Sequence, residues 1–155
     1  MTSDQIVIEI ETSWSAAIYP KEDGLTVHPL GLDHEFYEGL VGKMWDSLTP
    51  SFLNYHADCI GLLTPRGFHY FLPAFLVSDL KLGGNTNIRS CFFWALQGCL
   101  GGRSSIKELS GPDWFKTRIA GLTAPQKACV IEFIDFSGDG DMDNYELIVE
   151  HINST

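Results

Sequence analysis

The sequence predicts an all-α fold, a single compact bundle of about seven or eight helices whose C-terminal part is a helix-loop-helix. Three observations carry this. Apolar residues recur three or four apart through most of the chain, the period of a helix with one buried face. The same helix-start signal occurs as Thr49-Pro50, Thr64-Pro65 and Thr123-Ala124-Pro125. A Thr oxygen there can accept an unpaired first-turn amide, and Pro in that turn forfeits no hydrogen bond. Finally, 155 residues with 45% hydrophobic and 19% charged side chains argue against intrinsic disorder and suffice for one core without disulfides or metal.

Taken in order, Ile6, Ile10, Trp14 and Ala17 or Ile18 favour a helix from about Asp4 to Tyr19, although Ile6 to Ile10 also alternates as a strand would. Pro20 to Asp33 holds Gly24, Pro29 and Gly31 and reads as a loop. Asp33 can cap a second helix with Phe36, Leu40, Val41, Met44 and Leu48 as its stripe. Helices three and four follow the first two Thr-Pro signals. The fourth carries Phe68, Phe71, Leu72, Phe75, Leu76 and Leu80, apolar over most of its circumference, and so belongs at the centre. Pro73 should bend it and Leu82-Gly83-Gly84-Asn85 should end it. A fifth helix spans Ile88 to Leu100, stopped by Gly101-Gly102, and Arg103 to Lys107 reads as a surface connection. A short helix at Asp113 to Ala120, a longer one at Pro125 to Phe136 and a last one at Asn144 to Ile152 complete the bundle.

Composition narrows the function. Twenty acidic against ten basic residues leave a charge of −10, which repels phosphate backbones and makes nucleic acid an unfavourable partner. A basic protein surface or a cation is favoured instead. No apolar run approaches a membrane span, and the N-terminal stretch lacks a secretory pattern, so the expected compartment is the cytoplasm. Cys59, Cys91, Cys99 and Cys129 sit in apolar contexts and read as buried thiols. Trp14, Trp45, Trp94 and Trp114 read by default as core anchors, with one or two of them able to serve as interface residues, where Trp is enriched.

The sharpest chemical signal lies near the C-terminus. Residues 135 to 146 place Asp135, Ser137, Asp139, Asp141, Asp143 and Glu146 at the first, third, fifth, seventh, ninth and twelfth positions of an EF-hand-type calcium loop, with Gly140 at the sixth. Hard oxygen donors at alternating positions let a tight loop wrap one ion. Residues 131 to 155 hold seven acidic residues and no Lys or Arg, against 13 acids and 10 bases in residues 1 to 130. Five carboxylates in one loop repel one another unless a cation or solvent screens them. The expectation is therefore an EF-hand-like element able to take calcium. The competing reading is a solvated Gly-Asp turn.

No recognised nucleophile, metal-protease, phosphate-loop or dinucleotide motif occurs. His56, Asp58, His69 and Asp79 lie on or beside the third and fourth helices and could converge, with Arg66 as an anion ligand. His28, His34 and His151 sit in polar contexts.

The stretch Thr64-Pro-Arg-Gly-Phe-His-Tyr-Phe-Leu-Pro-Ala-Phe75, with Gly42-Lys43-Met44-Trp45 before it and Leu122-Thr123-Ala-Pro-Gln126 after it, resembles the signature of a bacterial helical domain family of unknown function. The resemblance spans about Trp14 to Phe136 and implies a small soluble helical domain, with no activity or site residues attached. Together these features lead to a small acidic, non-enzymatic binding protein for a partner with a basic surface, such as an immunity-type inhibitor of a basic toxin or nuclease. The alternatives are a calcium-binding protein and a hydrolase around His56 and His69.

Overall fold

A computed structural model of the chain describes residues 1–27, 34–100, 111–138 and 144–155. Eight α-helices occur among them: α1 Ser3–Ser13, α2 His34–Leu40, α3 Pro50–Tyr55, α4 Pro65–Lys81, α5 Asn87–Gln97, α6 Pro112–Ile119, α7 Ala124–Ser137 and α8 Tyr145–Ser154. No strand is present among the described residues. A single bridge pairs Thr26 with Leu63.

Residues 6 to 10 are helical. Thr2 Oγ1 accepts the Gln5 amide, and Gln5 Oε1 accepts the Thr2 amide at 2.8 Å, a reciprocal cap that settles the start of α1. The expected extension to Tyr19 is corrected, because α1 stops at Ser13 with Trp14 as its C-cap. Thr12 and Ser15 hydroxyls take up the Ile8 and Thr12 carbonyls, a side-chain alternative to further helix. Ile6, Ile10 and Trp14 are buried, whereas Ile18 is 88% exposed. The apolar stripe therefore ends where the helix does.

The second helix is likewise shorter than its stripe. Gly42 adopts φ 68°, a left-handed conformation that ends helical register, and a tight 3-10 turn at Trp45–Ser47 follows. Met44, expected inside, is exposed, and Trp45 is buried in its place. The expected cap Asp33 lies outside the described residues, as does the stretch Arg103 to Lys107.

All three Thr signals are caps. Thr49, Thr64 and Thr123 accept the amides of Phe52, Gly67 and Gln126, each with Pro in the first turn. Thr86 caps α5 in the same way. As its all-round apolar surface requires, α4 is the central helix, buried at every residue from Tyr70 to Leu80. It packs against α1, α3, α5 and α6, while α7 packs on α1 and carries α8.

Two polar groups inside this core are paired by side chains from other helices or turns. Trp114 Nε1 donates to the Gly61 carbonyl at 3.0 Å. Asp79, with no exposed surface, accepts from Thr86 Oγ1 at 2.6 Å and from Arg89 Nε and Nη2 at 3.1 and 2.7 Å. This fork-shaped pair satisfies a carboxylate that burial would otherwise penalise. The first turn of α4 abuts the Leu25 turn: Gly67 lies so close that a Cβ there would meet the Leu25 carbonyl oxygen at 2.3 Å. Cys59, Cys99 and Cys129 are buried and Cys91 half-buried. Burial pushes the thiols of Cys91, Cys99 and Cys129 up. Trp14, Trp45 and Trp114 are buried, whereas Trp94 is 50% exposed on α5 while Phe92, Ala95 and Leu96 face inward.

Candidate functional site

The seam between α1 and α7 brings together groups that lie more than a hundred residues apart. Gln126 Nε2 donates to the Ser13 carbonyl at 3.2 Å, and the Ser13 hydroxyl lies 3.3 Å from Cys129 Sγ. One helical turn from each of these, Glu9 on α1 meets Glu132 on α7, and both line a shallow 260 Å³ cleft with Thr12, Ser13, Ala128 and Cys129. Glu132 Oε2 is shut off from solvent, and no N–H or hydroxyl group among the described residues donates to it.

The electrostatics follow from that approach. A hydrogen bond with the Glu9 carboxyl holds the Glu132 proton, and partial desolvation and the charges of Glu9 and Asp135 act in the same direction. Together they raise the pKa of Glu132 to about 7. Neither glutamate forms an ion pair among the described residues. Two facing carboxylates of this kind repel each other unless a proton on Glu132 or an external cation separates their charges. Nothing in the spacing of Glu9 and Glu132 announces their meeting; only the packing of α1 on α7 creates it.

The residues expected in the calcium loop divide into two groups. Asp135 and Ser137 form the last turn of α7, and Glu146 is exposed in the first turn of α8. Asp139, Asp141 and Asp143 lie outside the described residues. Asp135 accepts a hydrogen bond from the Tyr145 hydroxyl, which raises the Tyr145 pKa to about 12. Ser137 is buried; its Oγ is enclosed without a partner, and its carbonyl accepts from Arg89 Nη1 at 3.3 Å. Among the described residues no group of three His, Cys, Asp or Glu side chains is arranged to hold a metal ion.

The histidines and carboxylates expected to converge occupy separate settings. The His56 ring is buried against Phe36, Phe52 and Tyr55, with Nε2 4.0 Å from Glu35. His69 Nε2 meets the Arg118 carbonyl at 2.5 Å on another face, and Asp79 is committed to Thr86 and Arg89. His69 and Asp79 are ten residues apart along α4, about 15 Å of helical rise. Asp58 is exposed, its Oδ1 3.7 Å from Cys59 Sγ. His34 pairs with Glu38 at 3.0 Å, His151 bonds the Leu147 carbonyl at 2.6 Å, and His28 lies outside the described residues.

Comparison of the chain with protein-family models, with curated proteins and with solved structures finds no match.

Proposed function

We propose that this protein is a non-enzymatic binding module that captures a basic protein surface through the acidic α1–α7 face, in the manner of an immunity-type inhibitor of a basic toxin or nuclease. The observation that carries the reading is the Glu9–Glu132 pair, two carboxylates lining one cleft with no cation of their own among the described residues. A guanidinium or ammonium group from a partner would neutralise the pair and relieve the repulsion from Asp135. The overall charge of −10 would steer a basic partner toward the complex. The test is capture from the source cell on immobilised wild-type chain and on a Glu9→Gln/Glu132→Gln variant. A stoichiometric basic protein retained by the wild type and lost by the variant supports the reading. Equal retention by both, or no partner, overturns it.

A second reading, calcium at residues 135–146, is supported by the donor spacing and by the enclosed Ser137 hydroxyl at the third position, which has no hydrogen-bond partner among the described residues. Calcium titration of chelator-stripped protein by calorimetry, with magnesium as control, should give binding that Asp135→Ala/Glu146→Ala abolishes. No heat from calcium removes this reading.

A further inference from the structure

A second cleft, of 430 Å³, lies where the segment following α1 crosses the first turns of α4, and its charge is opposite to that of the acidic seam. Lys21 and Arg66 line it, both exposed. Among the described residues neither makes an ion pair and no Asp or Glu is part of the lining.

A third positive charge stands behind the wall. Arg118 is buried, and its guanidinium donates to the Leu63 carbonyl through Nε at 3.1 Å and Nη2 at 2.6 Å, to Thr117 Oγ1 at 3.1 Å, and lies 4.8 Å over the Trp114 ring. None of these partners is an anion, and Arg118 forms no ion pair among the described residues. Its field reaches the cleft through His69, a lining residue whose Nε2 meets the Arg118 carbonyl. Burial lowers the pKa of His69; the hydrogen bond to the Arg118 carbonyl opposes this and the Arg118 charge adds to it, so the net shift disfavours a further cation at this ring. Tyr19, also in the lining, accepts the Gly42 amide at 2.8 Å, so its own hydroxyl proton is free to donate. Ile18 and Pro20 supply apolar surface at the same mouth.

We propose that this cleft binds a small organic oxyanion, a carboxylate or phosphate held by Lys21, Arg66 and the Tyr19 hydroxyl, with its apolar body against Ile18 and Pro20. A forked guanidinium beside a point-charge ammonium suits either oxyanion. The volume falls within the range of small-molecule sites. This site is independent of the acidic seam, so the failure of one proposal leaves the other standing.

The experiment is calorimetric titration of the full chain with phenyl phosphate and with phenylacetate at low ionic strength, using benzyl alcohol as the neutral control. Saturable binding of at least one oxyanion is expected, with none of the alcohol. A Lys21→Gln/Arg66→Gln variant should keep the unliganded Tm, because both side chains are exposed, and should bind about tenfold or more weakly. Binding of one probe alone identifies the head group. Failure of both oxyanions to saturate, or equal binding by the variant, overturns the proposal.

Discussion

Trp14 Nε1 donates to the His69 carbonyl at 2.7 Å, the carbonyl that Pro73, four residues further along α4, cannot reach because it has no N–H. The indole thereby repairs, from the end of α1, the one gap that proline opens in the central helix. It also ties α1 to α4 at a buried position, Trp14 being 1% exposed.

Trp14→Phe should keep most of the ring packing but orphan that carbonyl, at a cost of about 1–3 kcal/mol. Thermal unfolding should show a Tm lower by roughly 3–10 °C. In a Pro73→Ala background the restored N–H can serve the carbonyl, so the same substitution should cost less. Equal costs in both backgrounds would show that the hydrogen bond is not what Trp14 contributes.

Glu132 makes stability depend on pH with a definite sign. Its pKa is about 7 in the folded chain against an ordinary 4.5, so between these values the folded state holds a proton that the unfolded state has lost. Stability conferred by that proton is present at low pH and declines as pH rises from about 4.5 to about 7. Glu132→Gln should flatten this slope and raise the Tm at pH 8 by about 2–4 °C. An unchanged slope in pH-dependent melting would remove the shared proton from the account.

Gly67→Ala reverses an ordinary rule. Within an exposed helix the change would be favourable, but here the new methyl would fall 2.3 Å from the Leu25 carbonyl oxygen. Overpacking against backbone should cost on the order of 2 kcal/mol, measured as a lower midpoint in urea with an unchanged slope. A neutral or stabilising result would mean that the Leu25 turn yields freely.

How much of this was legible in the sequence depended on the range of the interaction involved. The Thr49, Thr64 and Thr123 caps and the central place of α4 follow from neighbours in sequence: a hydroxyl three residues before an amide, and an apolar surface that only burial can satisfy. The ends of α1 and α2 were not legible, since Ile18 and Met44 continue the apolar period after the backbone has left it. Periodicity records which residues could share a face, while Gly42 and the Thr12 and Ser15 hydroxyls decide where the face stops.

The calcium-type spacing of residues 135 to 146 is likewise a property of the sequence alone, because its donors are set by their order along one loop. The meeting of Glu9 with Glu132 and the gathering of Lys21, Arg66 and His69 around one cleft depend on how α1 lies across α4 and α7. By itself the sequence determined the helices, most of their starts and the excess of negative charge. Only the tertiary structure decided which charges face one another, because electrostatic interaction falls with distance through space and residue number does not measure that distance.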